Sequence, residues 1–246
     1  MRESFAASVK DQVSLLGGGF MISRYAKAAA AEHGLTDVWS AYFLGRCGVL
    51  GDVHPDVVAA ATVFYPVDVV REAWTTGRAA VAPDKAADRY GQACHEWGRA
   101  RLEGFAGAAR LAELAGTVAA EADVSALPLF AGWRAMPLPD DPAARCAQAL
   151  HVLREHRGGL HAVAVLAAGL TPRQAVLSGN GGEVNAVFFG WDPPYEDVSG
   201  LAGVRADAEA LTDRLVQPAY AVLDDAEQVE LRALLDAAKA HAFPAR

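Results

Sequence analysis

The chain has 246 residues, 52% of them hydrophobic, and a formal net charge of −8. That is enough material for one large domain or two small ones around a sizeable core. The acidic balance argues against a surface that tracks phosphates, so nucleic acid is not expected as a partner.

Helical signals dominate from the start. Residues 20–35 (FMISRYAKAAAAEHGL) read as an alanine-rich helix that stops at Gly34. Residues 35–46 restart with Thr36 or Asp37 as cap, and their spacing puts Trp39, Tyr42, Phe43 and Arg46 near one face. A helix from Pro55 runs to the residues before Pro66, and a short one follows at 66–74. Residues 83–123 are long and periodic, with Tyr90, Cys94, Trp97 and Phe105 on one buried stripe. The proline-rich stretch 127–142 reads as an irregular connection between an N-terminal half, 1–125, and a C-terminal half, 126–246, which together can still form one integrated domain. A helix from Pro142 to Ala168 follows, capped by Asp140 or Asp141. Residues 169–179 carry another clear start, with Thr171 as cap and Pro172 in the first position. Strand character is confined to residues 180–195 (NGGEVNAVFFGWDPPY), and residues 205–223 and 224–243 are the closing helices.

Cys47, Cys94 and Cys146 are far apart, odd in number and include no CxxC pair. A disulfide framework or a structural zinc site is not expected. No apolar run reaches the length of a bilayer span, and the N-terminal segment lacks the long apolar core of a signal peptide. The simplest expectation is a cytoplasmic chain with reduced thiols and no membrane partner. A homo-oligomer is compatible with all of this.

Three blocks, residues 33–70, 153–177 and 211–235, resemble in order and spacing an actinobacterial family of helical, helix-turn-helix-like proteins. The most specific pieces are Trp39–Tyr42–Phe43–Gly45–Arg46, Leu153–Arg154–Glu155–His156–Arg157–Gly158 and Thr212–Asp213–Arg214–Leu215. The resemblance implies a winged-helix segment between a Gly-Trp pair and the Thr-Asp-Arg-Leu run. Here Gly190–Trp191 is followed by two prolines and a short linker, so only a truncated remnant, near 179–204, is expected.

Candidate chemistry centres on LREHRGGLH, residues 153–161. His151 and Glu155 share one helical line, whereas His156 lies on another side and His161 roughly 140° further round. Paired metal-ligand spacing is absent, so no metal or other cofactor is expected. A histidine oriented by a carboxylate can act in acid–base chemistry, which makes His156 and Glu155 the catalytic candidates. The alternative is a solvated or packed helix face with Glu155 paired to an arginine. Gly158 and Gly159 favour function, since two glycines inside a helix are costly and make room for a neighbour or ligand. Arg46, Tyr42, Arg157, His161, Trp191 and Tyr195 are the ligand-binding candidates. The aromatic residues around Pro193–Pro194 read either as a plug for the core or as a pocket wall.

The resulting expectation is a mostly α fold of two packed helical halves with a small winged-helix-like remnant. It handles a small aromatic or apolar molecule of specialised metabolism, as a cofactor-free acid–base enzyme or as a non-catalytic ligand-binding regulator or sequestering protein. A DNA-binding repressor ranks below both.

Overall fold

The computed structural model describes residues 4–244. Among the described residues the chain forms thirteen α-helices and two single-turn 3-10 helices, with no strand. In chain order these are α1 (Phe5–Gly18), α2 (Arg24–Glu32), α3 (Val38–Cys47), α4 (Pro55–Ala61), α5 (Val67–Ala80), α6 (Pro83–Arg101), α7 (Ala108–Glu121), α8 (Pro128–Ala135), α9 (Pro142–Ala167), α10 (Pro172–Leu177), α11 (Gly182–Phe188), α12 (Ala202–Tyr220) and α13 (Asp225–Ala242). The mostly α, packed-helix expectation is borne out.

Local chemistry sets most boundaries. Asp37 caps α3 by accepting from the Ser40 N–H, and Asp141 caps α9 through Ala144 N–H. Thr171 and Gln174 form a reciprocal capping box at α10. Gly34 ends α2 at φ +71°. Gly104, at φ +73°, lies in the break that divides the expected long helix of residues 83–123 into α6 and α7.

Two stretches differ from the sequence expectation. Residues 128–135 are a helix, with Pro128 in its first turn and Leu129, Phe130 and Trp133 buried. Proline breaks helix interiors but suits this first turn. Residues 182–188 are also helical: Val184 and Val187, three apart, belong to α11. β-branched residues favour strands only where cross-strand packing rewards them. No wing-like strand pair exists between 179 and 204 among the described residues.

The 26-residue helix α9 is the axis of the molecule. It packs against α1, α6, α7, α8 and α12. From Ala144 to His156 it is buried almost all round, as expected of a helix enclosed by others. The main core draws on residues from Ala6 on α1 to Ala242 on α13. A second cluster joins α3, α4 and α5 around Phe43, Leu44 and Trp74. The α1–α9 crossing is close because residue 17 is glycine: a Cβ there would stand 2.4 Å from the Leu150 carbonyl oxygen. Beyond His156, α9 emerges half-buried at Arg157, Gly158, Gly159 and His161, beside a cleft.

Candidate functional site

The cleft has a volume of about 1720 Å³ and lies where α1, α3, α9 and the segment 60–65 meet α10, α11 and α12. Its aromatic lining includes Trp39, Tyr42, Phe64, Tyr65, Phe188 and Phe189. These rings brace one another. Trp39 meets Tyr65 and Phe188 edge to face, at 5.6 and 6.4 Å between centroids, and Tyr65 and Phe189 meet at a tilt, 4.8 Å apart. Such contacts hold the wall in shape beyond what area burial alone would do.

A buried ionic cluster sits against this wall. Arg46 Nε and Nη2 donate to the two Glu155 oxygens at 2.9 and 2.8 Å, and Nη1 donates to the Tyr42 hydroxyl at 3.0 Å. Arg154 Nη1 donates to the same carboxylate at 2.9 Å. Burial alone would push the Glu155 carboxyl up. The Arg46 and Arg154 charges outweigh it and hold the group at about 2. His151, four residues earlier, donates from Nδ1 to the Gly17 carbonyl at 3.1 Å, and burial pushes its ring down to about 4. It is therefore neutral at pH 7.

A second polar group borders the same cleft. Arg157 donates to Asp213 at 2.8 Å, and Arg205 donates to Glu209 at 2.9 Å. The Thr212 hydroxyl donates to the Ala208 carbonyl, so His161 Nδ1–H donates to the Thr212 oxygen at 3.0 Å. That tautomer leaves His161 Nε2 facing Glu209, 3.8 Å away. Burial lowers the His161 ring below its ordinary range, and the ring stacks on Phe64 at 5.4 Å.

Helices α10 and α11 pack together across a four-residue turn, 178–181, that contains Gly179 and Gly181. A short turn of this kind, often containing glycine, also joins the two helices of a helix-turn-helix. A model of the Helix-turn-helix family matches residues 6–194. The chain belongs to the helix-turn-helix family. No curated protein and no solved structure matches it.

Family membership corrects the expectation that nucleic acid is not a partner. Helix-turn-helix proteins as a class dock a helix against DNA, and nucleic acid returns to the partners open to this member. The −8 charge is a sum over the whole surface, whereas phosphate contacts depend on the few groups that meet the backbone.

The fold of this helix-turn-helix family member brings Arg46, Tyr42, Glu155, Arg157 and His161 to the cleft. His156, Trp191 and Tyr195 are not among its lining residues. His156 is buried with its ring 4.9 Å from that of Phe130, and no hydrogen bond joins it to Glu155 among the described residues. The two residues are adjacent in sequence, so on a helix they point about 100° apart. Trp191 Nε1 donates to the Phe64 carbonyl at 3.0 Å, and the Tyr195 hydroxyl donates to the Trp191 carbonyl at 2.8 Å. This loop does not close the cleft; it ties down the strip of chain that carries Phe64. Sequence reasoning passed over Phe64 and Tyr65 as the tail of a helix. Their one signal was a pair of aromatic residues directly before Pro66.

Among the described residues no group of three or more His, Cys, Asp or Glu is placed to hold a metal ion. The three cysteines are free and buried, and burial pushes the Cys47 and Cys146 thiols up to about 12. None has the depressed value of a reactive thiol. No helix among the described residues is long and apolar enough to cross a membrane.

Proposed function

We propose that this chain is a ligand-responsive regulator of the helix-turn-helix family, which takes a small, mainly aromatic or apolar molecule into the cleft. The cleft itself carries the reading. Ligand sites are concave, apolar and aromatic, with a few fixed polar groups, and this one has both. The DNA-binding half of the reading rests on family membership. The link between the halves is that Val176, Ser178, Asn180, Asn185 and Phe188, from the α10–turn–α11 unit, form part of the cleft lining. An occupant presses on that unit. A regulator is favoured over an acid–base enzyme because Glu155, clamped as a carboxylate by two arginines, is a weak base, and His156 lies off the cleft.

The test uses the neutral fluorescent probe N-phenyl-1-naphthylamine. Wild-type protein should give a saturable fluorescence increase. Gly158→Leu should weaken it at least tenfold with the helical circular dichroism unchanged, because residue 158 lines the cleft and nothing lies within 4 Å of a Cβ built there. A wild-type protein that gives no saturable signal overturns the ligand reading. A random-sequence duplex should be retained at low salt, less so as salt rises, and probe binding should change that retention. A duplex that is not retained at low salt overturns the DNA-binding half.

A further inference from the structure

The Arg46–Glu155 end of the cleft holds polar capacity that the protein does not use. Tyr90, on α6, lines the cleft and is 4% exposed, yet its hydroxyl has no hydrogen-bond partner among the described residues. A buried hydroxyl left unpaired is costly, which is why such groups in native folds call for an explanation. Its ring lies against α3 at Gly45, where a Cβ would come within 2.6 Å of it, one residue from Arg46. Burial raises the phenol well above its ordinary value despite the pull of Arg46 and Arg154, so Tyr90 presents a proton to donate.

Arg154 also lines the cleft, close enough for its charge to act on the Tyr90 phenol. One of its nitrogens donates to Glu155, and its others make no hydrogen bond to the described residues. Arg46 is spent on Glu155 and Tyr42. The cluster therefore holds two guanidinium charges against one carboxylate, a surplus of one positive charge. His151 adds no charge: its Nδ1–H is given to the Gly17 carbonyl, and its Nε2, 3.8 Å from Glu155, belongs to a ring that burial keeps neutral. A partly buried surplus charge next to apolar walls is best satisfied by an opposite charge with hydrogen-bond acceptors.

We propose that this end of the cleft is a head-group site for a monoanionic oxyanion, held by the unused N–H groups of Arg154 and the Tyr90 hydroxyl, and that the ligand is an aromatic or apolar carboxylic acid. One surplus charge and two donor groups match a carboxylate rather than a phosphate dianion. This inference rests on the ligand-binding reading and adds the chemistry of the ligand's head.

Two probes with one skeleton separate the two ideas. 1-Anilinonaphthalene-8-sulfonate carries the anilinonaphthalene of N-phenyl-1-naphthylamine plus one sulfonate. Arg154→Gln should weaken the sulfonate probe at least tenfold and leave the neutral probe within twofold. Tyr90→Phe, which removes only an unpaired hydroxyl and keeps the ring packed, should weaken the sulfonate probe three- to tenfold and spare the neutral one. 1-Naphthoate should displace the sulfonate probe from wild type, and 1-naphthalenemethanol should do so at least tenfold less well. If both variants bind the sulfonate probe as wild type does, or lose both probes equally, the head-group site is wrong while the cleft reading stands. If the neutral probe fails on wild type, it is the cleft reading that has failed.

Discussion

Glu155→Gln is the substitution that most directly tests the centre of the fold. It keeps the shape of the side chain and removes its charge. Glu155 accepts three charge-assisted hydrogen bonds, two from Arg46 and one from Arg154. A glutamine offers one oxygen to those donors and turns an NH₂ group toward the guanidinium nitrogens. Arg46, only 8% exposed, is left with its charge uncompensated. Breaking a buried pair from one side costs about 3–5 kcal/mol. That is a large share of the roughly 5–15 kcal/mol by which domains are stable. For a chain of this size it corresponds to a fall in Tm of about 6–20 °C. Urea denaturation followed by circular dichroism measures the loss through the midpoint, with the slope as a check on two-state behaviour. The double variant Arg46→Met/Glu155→Met should recover most of the loss, since two apolar side chains of similar length remove both charges together. A Glu155→Gln cost below about 1 kcal/mol would place the pair among solvent-screened surface bridges and refute the argument.

Acid should unfold this protein earlier than its carboxylates alone would require. Burial pushes His151 and His156 from an ordinary 6.5 to about 4, so between those values the unfolded chain binds protons that the fold refuses, and stability falls as pH falls through that window. Each histidine contributes a slope of up to about 1.4 kcal/mol per pH unit, and Glu155, held at about 2, adds its own loss below 4.5. A Tm that stays level from pH 7 to 4.5 would show that these rings are not buried neutral. Two glycine variants should move stability in opposite directions. Gly17→Ala forces a methyl group to within 2.4 Å of the Leu150 carbonyl and should cost about 1–3 kcal/mol. Gly158→Ala meets nothing within 4 Å and should gain about 0.5–1 kcal/mol from the lower entropy of the unfolded chain. Urea midpoints shifting in the same direction for both would contradict the described packing of α9.

What the sequence determined by itself is local. The caps at Asp37 and Thr171, the stop at Gly34, and a helix from Pro142 that ends within a residue of its expected limit all depend on neighbours a few positions away. Helix family and helical class were legible for the same reason: alanine, caps and period are written along the chain. Pro128 and the valines of α11 misled because local rules are ambiguous there. Proline starts helices as well as stopping them, and valine follows whichever surface it packs on. The site belongs to the tertiary structure. Arg46 and Glu155 are 109 residues apart, and nothing in either segment announces the other. In α9 the choice of Glu155 and His161 over His156 as cleft residues could not be read from periodicity, because the middle of this helix is enclosed on nearly every side. When all faces of a helix are buried, amphipathic pattern carries no direction, and only the positions of α1, α6, α7, α8 and α12 around it decide which side chains meet the cleft and which meet the core.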